Sequence, residues 1–149
     1  MLGYIHMFAT KKAAASFIRF LSVLAPKKAL VVGLYGDLGV GKTTFTQEAA
    51  RLLGIKEQII SPTFVILRIY EISKNKFPFK RLIHIDAYRL DKPKELSALG
   101  FKDLLKDKKN LILVEWANKV LPVLPKDHRK IIFEFAGKKN RKISYDKKT

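Results

Sequence analysis

The segment Gly36-Asp37-Leu38-Gly39-Val40-Gly41-Lys42-Thr43 has the spacing G-x-x-x-x-G-K-[ST], a pattern built for holding phosphate. Glycines let the backbone curl with its N–H groups pointing inward, and a helix starting at the end of the loop adds the positive end of its dipole. Lys42 is placed to reach the β- and γ-phosphates, and the Thr43 hydroxyl is a hard oxygen donor suited to Mg²⁺. We therefore expect Gly36, Asp37, Leu38, Gly39, Val40, Gly41, Lys42, Thr43 and Thr44 to bind ATP, with Lys42 also acting in catalysis. Phosphoryl transfer with Mg²⁺ needs a further carboxylate. Glu115 and Asp86 both end apolar runs. Glu115 ends the more continuous one, Asn110-Leu111-Ile112-Leu113-Val114, and is the expected Walker-B metal ligand beside Thr43; the alternative is a carboxylate exposed at a strand end. Asp86 is expected to share the metal or polarise the attacking water, unless it only caps the next turn. Thr63, after Ser61-Pro62, fits a catalytic switch residue sensing the γ-phosphate, or simply a turn at a strand start.

Other residues carry weaker signals. Arg89 either compensates transferred charge or forms a surface ion pair, and Trp116 either stacks on a partner or packs in the core. His84, between Ile83 and Ile85, reads as structural. Asp37 either orients water or satisfies local backbone donors. Thr10 reads as a helix N-cap.

The elements needed to position these groups are legible. The run Ala29–Tyr35 reads as a strand feeding the loop, and a helix follows from the loop to about Leu53, closed by Gly54. An amphipathic helix precedes them, with Ala13, Phe17, Phe20, Leu21 and Leu24 at helical spacing. Strands are expected at Thr63–Tyr70, Arg81–Asp86 and Asn110–Glu115. A helix starts near Asp91 and Pro93 and is interrupted at Gly100. Lys130–Phe135 and Lys142–Tyr145 are expected to pair as a hairpin. This order implies an α/β, P-loop NTPase-like fold, with a mainly parallel sheet, an antiparallel portion and flanking helices. Ligands of such sheets bind beyond the carboxyl ends of the strands, where Gly36, Asp86 and Glu115 converge.

Composition bounds the rest. A chain of 149 residues fits one domain, 1–149. It contains no cysteine, which excludes thiolate metal sites and disulfides and fits a cytoplasmic protein. No apolar run is long enough to span a bilayer, so no membrane association is expected. The formal charge of +17 favours acidic partners, but 23 of the 30 basic residues are Lys, whereas phosphate forks and base reading favour Arg.

The ordered set Gly36-Asp37-Leu38-Gly39-Val40-Gly41-Lys42-Thr43-Thr44-Phe45, Ser61-Pro62-Thr63-Phe64, His84-Ile85-Asp86-Ala87-Tyr88-Arg89-Leu90, Glu95-Leu96, Leu99-Gly100-Phe101 and Leu113-Val114-Glu115-Trp116 resembles the TsaE (YjeE) family over most of the chain. The resemblance implies a small ATPase that hydrolyses Mg-ATP slowly. It also implies that the ATPase supports the TsaB and TsaD proteins in threonylcarbamoyl modification of the adenosine next to the tRNA anticodon, with tRNA met through that complex. It makes Lys42 and Thr43 phosphate and Mg²⁺ ligands, Glu115 a metal ligand, Asp86 catalytic and Ser61–Thr63 a switch, and it gives an adenine contact as the alternative to the N-cap role of Thr10. After Trp116 the family usually has Pro and then an acidic or polar residue, where this chain has Ala117-Asn118. A small-molecule kinase and a non-enzymatic basic nucleic-acid-binding domain are the competing readings. The first would consume ATP only with an acceptor. The second would bind independently of Lys42.

Overall fold

The computed structural model describes residues 9–60, 65–137 and 140–146. Its centre is a six-stranded sheet in the order β2-β3-β4-β1-β5-β6, formed by β1 (Leu30–Tyr35), β2 (Leu67–Glu71), β3 (Arg81–Asp86), β4 (Asn110–Glu115), β5 (Arg129–Phe135) and β6 (Arg141–Tyr145). The four inner strands are parallel, and the edge strands β2 and β6 run antiparallel to β3 and β5. All six residues of β4 are buried, as expected of a strand covered on both faces.

Alternation along the strands divides the apolar residues between two cores. Val32, Leu34, Leu82, Leu111, Leu113, Ile131 and Phe133 face helices α1 (Ala9–Leu21) and α2 (Lys42–Leu52). Val31, Ile83, Ile85, Ile112 and Val114 face the other side, with Leu96 of α3 (Lys94–Ser97) and Phe101 of α4 (Phe101–Lys106). Phe45 ties the phosphate-loop helix into the first core: it is fully buried, with ring centroids 5.7 Å from Phe17 and 5.6 Å from Phe133. Truncating such a side chain to Ala costs about 3–5 kcal/mol.

Three expectations need correction. The strand expected at Thr63–Tyr70 runs, among the described residues, from Leu67 to Glu71, and Ile66 just ahead of it accepts the backbone N–H of Asp86, the last residue of β3. Residues Ser61–Phe64, including the switch candidate Thr63, lie outside the described residues. Thr10 stands inside α1 rather than before it as a cap, buried beside the phosphate loop, where a Cβ on Gly41 would lie 3.7 Å from its hydroxyl. Finally, α1 ends at Leu21, so Leu24 packs against the core from the following turn.

Candidate functional site

The phosphate loop follows β1 at the carboxyl end of the sheet, and its shape depends on two glycines. Gly36 has φ 150°, and a Cβ there would sit 2.5 Å from the carbonyl oxygen of Phe133 and 2.8 Å from Val40. Gly41, at φ 112°, is the N-cap of α2 and gives the first turn no side-chain cap. The N–H groups of that turn are thus available to an anion.

Lys42 is the first residue of α2 and is almost fully buried. Its ammonium donates to the carbonyl oxygens of Gly36 and Asp37, the latter at 3.1 Å, and lies 3.7 Å above the centre of the Trp116 ring. Burial pushes its pKa below the usual lysine value, against the opposing pull of the Glu115, Asp86 and Asp37 carboxylates. Trp116 is held at φ 57°, the one non-glycine residue with positive φ among those described. That backbone turns its ring under Lys42 and brings it within 5.1 Å of the Tyr88 ring.

The two carboxylates are register partners, Asp86 on β3 with Glu115 on β4. Glu115 is 2% exposed, which overturns the alternative of an exposed strand end. Its Oε1 accepts the Thr43 hydroxyl at 2.8 Å, and its Oε2 lies 2.5 Å from His84 Nε2. Asp86 is only partly buried, and its Oδ1 accepts the backbone N–H of Tyr88 at 3.0 Å, so the turn-capping alternative is realised. The same carboxylate still bears on Lys42, so capping leaves it within the site's field.

The structure therefore brings Gly36, Lys42, Thr43, Asp86 and Glu115 together. Leu38 and Thr44 are exposed on the loop and the helix start. His84, which reads as structural in the sequence, is fully buried and brings its Nε2 to Glu115. A signal was present in its spacing from Asp86: residues two apart on a strand share a face, and this one meets the carboxylate of the neighbouring strand. The donors suit Mg²⁺, which takes few protein oxygens and keeps the rest of its shell for phosphate and water. A separate cavity of 330 Å³ between α1 and the β5–β6 hairpin, lined by Phe17, Phe20, Ile143 and Tyr145 among others, includes none of these groups.

A parallel-centred sheet with a glycine loop between β1 and α2 defines a P-loop NTPase-like α/β domain. The chain belongs to the TsaE family: the model for threonylcarbamoyl adenosine biosynthesis protein TsaE matches residues 7–143. Curated relatives named tRNA threonylcarbamoyladenosine biosynthesis protein TsaE include one from Rickettsia prowazekii, 40% identical over 114 residues (75% of this chain, 73% of the relative). Others come from Haemophilus influenzae, 34% identical over 118 residues (79% and 71%), and Bacillus subtilis, 37% identical over 115 residues (77% and 68%). The crystal structure of YdiB from Bacillus subtilis superposes with a TM-score of 0.69 at 28% identity, covering 97% of this chain and 84% of that one. Among the described residues, no helix is long and apolar enough to cross a membrane.

Proposed function

We propose that this chain is a magnesium-dependent ATPase whose slow turnover serves the TsaB and TsaD proteins during threonylcarbamoyl modification of adenosine in tRNA. The observation that carries the reading is the Thr43–Glu115 contact at 2.8 Å, which joins the helix after the loop to the neighbouring strand end. A hydroxyl on a buried carboxylate, next to a buried lysine and an uncapped helix start, has little purpose in a solvated turn. It suits a phosphate–metal site.

The loop amides and Lys42 bind the phosphates, with Lys42 exchanging the Gly36 and Asp37 carbonyls for phosphate oxygens. Thr43 and Glu115 hold the metal directly or through water. Magnesium, when bound, supplies Lewis-acid stabilisation of charge on the phosphate oxygens. Asp86, more open than Glu115, is the acceptor that orients the attacking water. P-loop sites commonly rely on an arginine supplied in cis or in trans, worth roughly 10³ to 10⁵ in rate. The candidate beside the motifs is Arg89, hence the slow turnover of the isolated chain and the need for its partners.

Titration with a fluorescent ATP analogue tests the site. Lys42→Ala is expected to weaken binding by about 1.5–3 kcal/mol and abolish hydrolysis. Equal affinity and turnover would refute the assignment. Steady-state hydrolysis and multiple-turnover threonylcarbamoylation of tRNA, with and without TsaB and TsaD, test the partnership. Unchanged hydrolysis together with full modification in the absence of this chain would overturn it.

A further inference from the structure

We infer that His84 is a positioning residue for the Glu115 carboxylate, fixing the direction in which that group faces Thr43 and its metal. The inference rests on the magnesium–nucleotide reading of the site. An ionised carboxylate only accepts hydrogen bonds, so in the 2.5 Å contact the imidazole Nε2–H donates and Glu115 Oε2 accepts.

His84 is fully buried on β3, a strand whose flanking residues Leu82, Ile83 and Ile85 are apolar and equally buried. Its Nδ1 has no hydrogen-bond partner among the described residues. Burying an imidazole with one nitrogen unmatched disfavours folding relative to a leucine, so stability alone does not account for the residue. Its bond to Glu115 does. His84 pairs with Leu113, two residues behind the Asp86–Glu115 pair and on the same face, so it approaches the carboxylate from the core side. Thr43 approaches the other oxygen from the loop side, at 2.8 Å. The plane of the carboxylate is thereby set by two donors from two different elements. With the His84 bond removed, Oε2 is a buried acceptor lacking that donor and the group is free to turn about its last torsion. Mg²⁺ demands near-ideal octahedral geometry, and losing an outer partner of this kind typically costs 10–100-fold in metal affinity.

The side-chain geometry offers a discriminating set of variants. A Gln amide nitrogen reaches the place of imidazole Nε2, whereas an Asn amide nitrogen reaches only the place of Nδ1. Dissociation constants of a fluorescent ATP analogue, measured on the full chain with Mg²⁺ and with EDTA, give the factor by which the metal tightens binding. His84→Asn and His84→Leu are expected to lower that factor roughly 10-fold or more, with affinity in EDTA changed less than about 2-fold, while His84→Gln keeps most of it. Equal effects of all three substitutions, or equal losses in EDTA, would overturn the inference and leave the nucleotide site standing. No effect of Mg²⁺ on wild-type binding would overturn both. A second readout uses wild-type protein without nucleotide or metal. Long-range ¹H–¹⁵N spectra of its three histidines should show His84 protonated on Nε2. A ring protonated on Nδ1 alone refutes the inference.

Discussion

The ends of β3 and β4 present two carboxylates side by side, yet their surroundings divide them. Glu115 is enclosed and bonded through both oxygens, to Thr43 and His84, whereas Asp86 stays partly open and bonds the backbone two residues on. A held carboxylate suits a fixed ion; an open one can follow a moving water and proton. Under the proposed function, neighbouring acids in one sheet would thus take different tasks through the donors around them, with no change of chemical group.

The sharpest way to break this contrast is to neutralise each acid in turn. Asp86→Asn is expected to lower turnover on the order of 10² to 10⁴-fold while leaving the Mg²⁺ midpoint within about 3-fold. Glu115→Gln should instead raise that midpoint roughly 10–100-fold. Magnesium-dependent hydrolysis curves of the two variants decide it: if Asp86→Asn alone weakened Mg²⁺ activation, the roles would be exchanged.

Stability should follow the same division. Glu115→Ala leaves His84 and Thr43 without their buried acceptor and is expected to cost about 3–5 kcal/mol, more than Asp86→Ala, in which the turn bond to the Tyr88 N–H, worth about 1 kcal/mol, is lost from a partly open site. Urea unfolding measures both, and equal losses would show that enclosure of Glu115 contributes nothing to the fold.

The two strand ends also communicate through rings, since Trp116 follows Glu115 and its ring meets Tyr88, two residues after Asp86. Trp116 is the chain's single tryptophan, and Lys42 rests on its face. Adding ATP is expected to change its emission as the ammonium leaves, with no change in Lys42→Ala. An identical response in both would show that the lysine stays in place.

The smallest effect is expected at the opposite ends of the same strands. There Asp107 accepts the Lys109 N–H and bonds Arg81, and these donors hold its pKa below the usual aspartate range. A lowered folded-state pKa means the contribution is present above the unfolded value and is lost as pH falls through the folded one. Asp107→Asn should therefore lower Tm slightly at pH 7, and the gap should close in acid once the carboxyl is protonated. A gap that persisted there would assign the effect to something other than charge.

Much of this was legible in the chain because its signals are local. The loop spacing, the apolar runs of β1, β3 and β4, and the acids closing two of them can each be read within ten residues. The Thr43–Glu115 contact spans 72 positions and depends on which strand lies beside β1, which one sequence does not encode locally. The Lys42–Trp116 contact depends on a left-handed backbone at a bulky residue, an arrangement propensity argues against. Val65 and Ile66 have the composition of a strand, yet β3 ends at Asp86, whose N–H meets the Ile66 carbonyl, and the ladder goes no further among the described residues. The His84–Glu115 contact is hidden for the opposite reason: the apolar neighbours Ile83 and Ile85 give the segment the look of plain core.

The two antiparallel edges have a bearing on behaviour in a crowded solution. Parallel strands left unpaired would offer a long row of N–H and C=O groups to any passing chain. Here each flank ends in a strand of five residues, carrying Arg68 and Glu71 on β2 and Arg141 and Lys142 on β6. Short, charged margins are poor templates for another strand, and a surplus of 17 positive charges keeps copies apart. The sheet whose carboxyl ends carry the glycine loop and the two acids is thereby guarded sideways against joining its own kind into fibres.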